Sequence, residues 1–298
     1  MAVKSTFNNL TAEDAAVILE LAPILDIAVA RRVEDGSERK FYLETTYGER
    51  RMMRVGSVND WGYKYLKDGD HVFAYIAKTG LPVTRMLSYG HCGGGTLYYQ
   101  LHTWLDGEAP HKIIPYLSPS EQFALGVKCG EAARKLHTLP PLGASEPWEV
   151  RIKREVQKKI KSYSDKPIKT RAEDLLIGYL QDNIGLTDGR PQTFTHGDWD
   201  TSNIILMPDG QIGIIDCGIP NSDPWREFCA VGDSPHFCTG QVKGYFGGEP
   251  PAEYFPLLAF YTAEFILHWG YDSENVLSWY DNMRNPVPSW YLKEYTPL

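Results

Sequence analysis

The sequence has few cysteines, and none in the spacing that builds a metal centre. Its five cysteines are odd in number and scattered, and no Cys-x-x-Cys pair occurs. A structural zinc site or a disulfide framework is therefore not expected, whereas reduced thiols in a cytoplasmic protein fit this pattern. The five residues are Cys92, Cys129, Cys217, Cys229 and Cys238.

Long basic or apolar runs are also missing, which argues against nucleic-acid and membrane partners. The 298-residue chain has a formal net charge of -8, whereas a nucleic-acid binder usually shows a basic face. The densest basic stretch, 151–161, interleaves acids and apolar residues at helical spacing, which is typical of a solvated helix face. The most apolar stretch, 257–269, is too short and too polar to span a bilayer. The N-terminal segment lacks the apolar core of a signal peptide.

Acidic residues are concentrated in the later part of the chain. The first 105 residues hold as many acids as bases, so the whole net charge of -8 lies beyond them. Long-range attraction would favour a cationic ligand there, although an ordinary soluble surface gives the same count. With 43% hydrophobic and 23% charged residues, the composition is that of a globular protein. None of these features indicates an oligomeric state.

The first hundred residues predict a small antiparallel sheet with helices beside it. Thr11 is placed to cap an N-terminal helix, with Asp14 three residues on. Alternating and β-branched segments are separated by polar turns, and a second helical run ends at Gly80. The predicted strands are 27–33, 40–47, 50–56, 81–90 and 96–105.

The remaining residues are mostly helical in pattern, with one hairpin inserted. Ser118 begins a long helix that runs to about His137. Pro208-Asp209-Gly210 makes a strong turn between two short apolar strands. Further helical patterns occupy 149–163, 171–184, 253–269 and 273–283. The chain is therefore predicted to be an α+β protein with a β-rich lobe at 1–104 and a helical lobe at 105–298.

The segment 194–218 carries the side chains with the clearest chemistry. Asp198 and Asn203 are followed by Asp216, which comes just after a hairpin strand. Phosphoryl transfer to an alcohol needs a carboxylate that accepts the hydroxyl proton and oxygen ligands that hold Mg²⁺ against the phosphates. Asp198 suits the first role. Asn203 and Asp216 suit the second, because Mg²⁺ takes few protein ligands and the hairpin would bring these two side by side.

These residues resemble the signature of a known superfamily. His-Gly-Asp-x4-Asn at 196–203, followed by Ile-Asp-x-Gly at 215–218, is similar to the catalytic loop and metal-binding strand of aminoglycoside phosphotransferases and choline kinases. These families are related to the protein kinases, whose signatures are HRDxxxxN and DFG. The segments 223–228 and 234–251 resemble a bacterial branch of the same superfamily. With the closing residues, the resemblance covers nearly the whole chain.

The resemblance implies a bilobal protein-kinase-like fold and a set of roles for the motif. Asp198 would be the catalytic base, and Asn203 and Asp216 would be the Mg²⁺ ligands. His196 would be a structural residue that holds the loop in place. Cys217 stands where an aromatic or large apolar residue is common, and it is expected to act as a small buried hydrophobe.

The resemblance assigns nucleotide binding to the first lobe. The family has a Gly- or Ser-containing turn between its first two strands, where backbone N–H groups lie against phosphates. Gly36 and Ser37 occupy that turn here, although the same residues are typical of an ordinary hairpin. Arg54 would contact the α- and β-phosphates where protein kinases use Lys, and Arg50 and Arg51 are competing choices.

Two further features concern the nucleotide. The segment 101–104 joins the lobes, and in the family its backbone meets the adenine edge, which makes His102 a candidate contact. The helix that usually supplies a Glu partner for the phosphate-binding cation contains no Glu at 68–74. Asp70 would substitute if the helix began a turn earlier; otherwise Arg54 lacks its usual partner. The choice between ATP and GTP is left open.

The acceptor is expected beside the catalytic base. Trp199 and Asp200 follow Asp198 directly, and Asp223 comes soon after in the chain. An acid at 200 and the acidic second lobe favour a cationic or polyhydroxylated acceptor, such as an aminoglycoside, an amino alcohol or a sugar. Whether such an activity serves antibiotic resistance or metabolism is not indicated.

The predicted function is that of a Mg²⁺-dependent small-molecule O-phosphotransferase. A protein kinase is disfavoured, because the chain has no HRD, no DFG and no APE-like segment. A metal-dependent hydrolase would need several His or carboxylate side chains around one metal, and only His196 lies in the motif. A nucleotide-binding regulatory pseudoenzyme is the alternative that the missing Glu supports.

Overall fold

In the computed structural model the chain divides into a β-rich unit and a mainly helical unit. The first unit comprises Met1–Lys78 and Pro82–Asp106, and the second comprises Thr79–Leu81 and Gly107–Leu298. Strands and turns dominate the first unit, and most of the α-helices in the described part of the chain lie in the second. This division follows the change of sequence pattern from alternating strands to helical periodicity.

The structure describes most of the chain, with gaps that affect two of the predictions. The described residues are 6–34, 39–60, 62–63, 69–167, 169–218, 221–230, 234–269 and 287–295. The turn that contains Gly36 and Ser37, and the helix predicted over 273–283, lie outside these residues.

The sheet of the first unit has the strand order β1-β2-β3-β4-β6-β5. All neighbours pair antiparallel except β1, which pairs with β2 in parallel and was not predicted. In β3 the side chains of Phe41, Leu43 and Thr45 are buried and alternate with less buried residues, as expected when one face packs on a core. The strands are β1 (Thr6–Asn8), β2 (Ile27–Val33), β3 (Arg39–Thr45), β4 (Arg50–Ser57), β5 (Met86–Cys92) and β6 (Leu97–Thr103).

Helix α1 (Ala12–Leu25) packs on this sheet, and α2 (Gly69–Ala77) follows β4. Thr11 caps α1 as predicted, because its hydroxyl accepts the Asp14 N–H at 3.1 Å. The Asp14 carboxylate is buried and pairs with Arg32 at 2.9 Å and Arg39 at 2.7 Å. Burial opposes ionisation of Asp14, but the hydrogen bonds from both guanidinium groups outweigh it and lower its pKa. The two strand ends that carry Arg32 and Arg39 are therefore tied to α1.

The second unit begins its long helices with strong N-terminal caps. Ser118 forms a capping box with Glu121 at the start of α4, and Thr170 forms another with Glu173 at the start of α6. The helices are α3 (Pro110–Ile113), α4 (Pro119–Leu136), α5 (Trp148–Ser164), α6 (Arg171–Asn183), α7 (Pro235–Phe246) and α8 (Tyr254–Trp269). Helix α7 was not predicted from the sequence.

Helices α4 and α7 pack backbone to backbone through two Gly-x-x-x-Gly pairs. A Cβ built on Gly126 would lie 2.1 Å from the Phe237 carbonyl oxygen, and one on Gly240 would lie 2.2 Å from the Phe123 carbonyl oxygen. Gly130 and Gly244 show the same close approach one turn along each helix. The glycines of α7 therefore serve a tertiary contact, although glycine weakens a helix locally.

A two-stranded hairpin is inserted between the helices, as predicted. Strand β7 (Ile204–Leu206) pairs antiparallel with β8 (Ile212–Ile214), and Ile204 lies opposite Ile214. Gly210 has φ +81° in the connecting turn, a conformation that suits glycine. The hairpin directly follows the loop that contains Asp198 and directly precedes Asp216.

Candidate active site

The loop before β7 brings the predicted base and a predicted metal ligand into contact. The Asn203 amide donates from Nδ2 to Asp198 Oδ2 at 2.8 Å and to the Asp198 carbonyl oxygen at 3.0 Å. Because both amide hydrogens have protein acceptors, the Asn203 Oδ1 atom is the part of the side chain suited to bind a cation. Asn203 is buried, so its amide is held in place by the surrounding protein.

Asp198 is exposed to solvent on one side, but the surrounding protein partly desolvates its carboxyl group. This desolvation raises the pKa of Asp198, and the neighbouring carboxylates Asp200 and Asp216 raise it further. The hydrogen bond from Asn203 acts in the opposite direction and does not cancel the effect. A carboxylate with a raised pKa is a better proton acceptor than an ordinary aspartate, which suits a general base.

The hairpin register places Asp216 next to Asn203. The Ile215 N–H donates to the Asn203 carbonyl oxygen at 3.1 Å, so Asp216 follows the residue paired with Asn203. Asp216 adopts a left-handed backbone conformation, with φ +60°, which is uncommon outside glycine, asparagine and aspartate. Asp216 and the amide oxygen of Asn203 together supply the hard oxygen donors that Mg²⁺ prefers.

His196 is buried beneath the loop and bonds to two parts of the backbone. Its Nε2 donates to the Ile215 carbonyl oxygen at 2.8 Å, and its Nδ1 accepts the Asp198 N–H at 3.3 Å. These two bonds define a neutral imidazole with its proton on Nε2. The ring therefore links the residue before Asp216 to the backbone of Asp198.

A buried glutamate that the sequence did not single out lies under the same loop. Glu227 accepts the His196 N–H at 2.5 Å and the Gly197 N–H at 2.8 Å, one oxygen for each. Burial alone would raise the pKa of Glu227, but the contact with His137 and the hydrogen bond from the Gly197 N–H hold it below its usual value. The only sequence signal was an acid within the mostly apolar segment 224–230.

Two more buried side chains extend this contact to helix α7. His137 Nε2 lies 3.7 Å from Glu227 Oε2, and His137 Nδ1 lies 2.9 Å from the Tyr245 hydroxyl. The first distance is longer than a hydrogen bond, so the imidazole and the carboxylate form a close charge–dipole contact. His137 follows the end of α4, and Tyr245 lies near the end of α7, so the glycine contact between these helices sets their separation.

The three predicted acceptor-side residues occupy different environments. Trp199 is 2% exposed and packs edge-on against His196, with ring centroids 5.8 Å apart. Asp200 is half-buried, and its Oδ1 accepts the Ser202 N–H and hydroxyl, so part of it stabilises the turn. Only Asp200 among the three thus combines proximity to Asp198 with partial exposure.

Asp223, the third of these residues, is fully buried in an ion pair. Arg190 donates to it from Nε at 2.6 Å and from a terminal nitrogen at 3.1 Å. The Tyr261 hydroxyl donates to Asp223 Oδ2 at 2.9 Å, and the Trp225 N–H donates to Oδ1. Its oxygens are therefore engaged by the protein interior, and the acceptor-side role of Asp223 stays a prediction.

The first unit holds the other predicted contacts. Arg54 lies in β4, half-buried, opposite Lys40 of β3 and Gln100 of β6. Arg50 pairs with Asp106, and Arg51 pairs with Glu49. The role of Arg54 as the phosphate contact, with Arg50 and Arg51 as the competing choices, stays a prediction.

His102 and the start of α2 concern the same predicted nucleotide site. His102 is buried in β6, with its ring 5.6 Å from Phe73 of α2. The described part of helix α2 is Gly69–Ala77, and it includes Asp70. The Gly69–Ala77 helix contains no Glu, as the sequence indicated.

Within the described residues, no group of three or more His, Cys, Asp or Glu side chains is arranged to hold a metal ion. Among the described helices, none combines the length and apolar character needed to cross a membrane. The Cys217 thiol donates to the His196 carbonyl oxygen at 3.3 Å, and burial raises its pKa well above the usual value.

Comparisons with known proteins place this geometry in a family. The model of the phosphotransferase enzyme family designated APH matches residues 29–223, more than half of the chain. A search of curated proteins finds no significant match to the chain.

Solved structures share the fold along almost their whole length. The GDP complex of wild-type aminoglycoside 2'-phosphotransferase-IIIa gives a TM-score of 0.66 at 12% identity, covering 91% of this chain and 97% of that one. A choline/ethanolamine kinase family protein from Mesorhizobium loti gives 0.60 at 17% identity, covering 92% and 94%. Amicoumacin kinase, solved with AMP-PNP and Ca²⁺, gives 0.58 at 12% identity, covering 93% and 94%. The fold is thus protein-kinase-like, and the chain belongs to the phosphotransferase enzyme family APH.

Proposed function

We propose that this protein transfers the γ-phosphate of ATP or GTP to a hydroxyl group of a small molecule, with Asp198 as the general base. The observation that carries the proposal is the Asp198 carboxylate itself. It is partly desolvated, its pKa is raised, and Asn203 Nδ2 fixes one of its oxygens at 2.8 Å. A base of this kind accepts the acceptor's hydroxyl proton as the oxygen attacks phosphorus.

Asn203 and Asp216 are suited to act as Mg²⁺ ligands. Asn203 directs its amide hydrogens to Asp198, which leaves its oxygen for a cation, and the hairpin brings Asp216 beside it. A bound Mg²⁺ would neutralise the charge of the nucleotide phosphates. The remaining predicted nucleotide contacts, Arg54 and His102, belong to the first unit.

The acceptor is expected to be cationic or rich in hydroxyl groups. Asp200 lies two residues from the base, is partly exposed, and adds negative charge that raises the pKa of Asp198. Proteins of the same fold are named as aminoglycoside, amicoumacin and choline/ethanolamine kinases. An amino sugar, an amino alcohol or an aminoglycoside is thus the class to test first.

A nucleotide-binding protein without transfer activity is the second candidate. The α2 segment Gly69–Ala77 contains no Glu, the residue type that pairs with the phosphate-binding cation in protein kinases. This departure from the kinase pattern is the feature that favours the second candidate.

Release of nucleoside diphosphate separates these two functions. Purified protein with Mg²⁺ and either ATP or GTP is mixed with aminoglycosides, macrolides, choline, amino sugars and hydroxy amino acids in turn. Acceptor-stimulated release, with a phosphorylated product seen by mass spectrometry, supports the transferase. Tight nucleotide binding with no product from any of these acceptors shifts support to the second candidate.

A further inference from the structure

The Tyr245 hydroxyl begins a buried series of polar contacts that ends at the catalytic loop. Tyr245 contacts His137 at 2.9 Å, His137 faces Glu227 at 3.7 Å, and Glu227 holds the backbone N–H groups of His196 and Gly197. All of these side chains belong to the second unit and are buried. Asp198 follows Gly197 directly, so this series of contacts extends to the residue before the proposed base.

Hydrogen-bond chemistry restricts where the protons of Tyr245 and His137 can lie. Burial raises the pKa of the Tyr245 phenol, and the nearby carboxylates Asp223 and Glu227 raise it further, so the hydroxyl keeps its proton. A neutral imidazole has one donor and one acceptor nitrogen. If the hydroxyl donates to His137 Nδ1, the ring proton must sit on Nε2, the nitrogen that faces Glu227.

We propose that Tyr245 is a positioning residue that fixes the tautomer of His137 and, through it, the carboxylate that anchors the catalytic loop. With the proton on Nε2, His137 presents a donor to Glu227 Oε2. With the proton on Nδ1, an acceptor lone pair would face a carboxylate oxygen, and the two would repel. Glu227 would then shift, and its bonds to the loop N–H groups would weaken.

The packing around Tyr245 involves its ring, so the hydroxyl can be removed without leaving a large cavity. Its ring packs edge-on against His137, Phe228 and Phe246, with centroids 5.4, 4.9 and 5.0 Å away. Tyr245→Phe keeps these contacts and deletes only the hydrogen bond. Tyr291 is a matched control, because it is also buried and its hydroxyl bonds to Glu249, away from this series of contacts.

The first test determines the tautomer of His137 by long-range ¹H–¹⁵N correlation spectroscopy of histidine-labelled protein. His137→Gln assigns the signal. We expect the Nε2–H form in the wild type and in Tyr291→Phe, and a shift toward the Nδ1–H form in Tyr245→Phe. An Nδ1–H or doubly protonated ring in the wild type, or no change in Tyr245→Phe, would overturn the proposal. This test needs no activity, so it stands even if the proposed transferase function fails.

The second test measures how firmly the backbone N–H groups of the catalytic loop are held. Hydrogen exchange of the His196 and Gly197 amides should become faster in Tyr245→Phe and stay unchanged in Tyr291→Phe. His137→Gln places an amide donor near the position of Nε2, so adding Tyr245→Phe to it should have no further effect. On the proposed activity, Tyr245→Phe should lower kcat about tenfold with the nucleotide KM nearly unchanged. Equal exchange rates in wild type and Tyr245→Phe would contradict the role.

Discussion

Glu227 accepts the backbone N–H of Gly197 at 2.8 Å, one residue before the proposed catalytic base. Its second oxygen accepts the N–H of His196, so two consecutive peptide groups of the loop are bound by one buried carboxylate. Charge-assisted bonds of this kind are stronger than neutral ones. The position of Asp198 therefore depends on a residue from the segment that follows the hairpin.

Glu227→Gln should destabilise the protein by about 2 kcal/mol near neutral pH, because one charge-assisted bond is lost and an amide NH₂ meets a peptide N–H. The folded pKa of Glu227 is below its ordinary value, so its stabilisation is present above the ordinary glutamate pKa. That contribution is lost as pH falls through the folded pKa.

Urea unfolding from neutral to acidic pH measures this effect. The difference in unfolding free energy between wild type and Glu227→Gln should narrow as pH falls. Glu131→Gln, at an exposed site on α4, is the control and should change little. A constant difference across the whole pH range would show that the Glu227 charge does not stabilise the fold.

The glycine contact between α4 and α7 should be intolerant of a methyl group. Gly126→Ala would place Cβ 2.1 Å from a carbonyl oxygen, so the helices must separate, at a cost of about 3 kcal/mol. Gly178→Ala in α6 meets nothing within 4 Å and should be neutral or stabilising by up to about 1 kcal/mol. Thermal unfolding measures the melting temperatures of both variants. Equal melting temperatures for Gly126→Ala and Gly178→Ala would contradict the close packing of α4 and α7.

The buried pair of Asp223 and Arg190 should be structural. Asp223→Asn leaves the guanidinium without its charged partner in the interior and should destabilise the protein by about 3 kcal/mol or more. Asp188→Asn breaks an exposed pair with Lys153 and should have an effect of less than about 1 kcal/mol. Denaturant unfolding measures both. A stable Asp223→Asn protein with a raised acceptor KM would instead support the predicted acceptor role.

Asp216 should contribute to binding of the metal–nucleotide complex. Asp216→Ala removes one of two proposed oxygen ligands, so calorimetry should show weaker binding of Mg²⁺-nucleotide by about tenfold or more. Asp209→Ala, in the turn of the same hairpin, controls for loss of a nearby carboxylate and should bind normally. Unchanged affinity in Asp216→Ala would exclude a ligand role.

Elements with local signals were predictable from the sequence. Thr11 and Ser118 cap helices where their side chains predicted, and Gly210 makes the turn of the hairpin. These features depend on residues within a few positions of each other, so the sequence contains the whole interaction. The motif residues Asp198 and Asn203 are predictable for the same reason, since one loop holds both.

Features that depend on distant partners were not predictable. Helix α7 contains Gly240 and Gly244, which lower helix propensity and are explained only by the contact with α4. Strand β1 is three residues long and is defined by its pairing with β2, not by any pattern of its own. Glu227 and His137 are 90 residues apart in the sequence, and their contact follows from the fold alone.

The assignment of Asp198 as the base is tested most directly by the rate of γ-phosphate transfer from labelled nucleotide in Asp198→Asn, with Asp209→Asn as the control. The substitution keeps the size of the side chain and a hydrogen-bond acceptor for Asn203, but it removes the proton acceptor. We expect transfer to fall by a factor of about 10² or more, while nucleotide affinity by calorimetry and the control's rate stay near wild type. Transfer at the wild-type rate in Asp198→Asn would contradict the account.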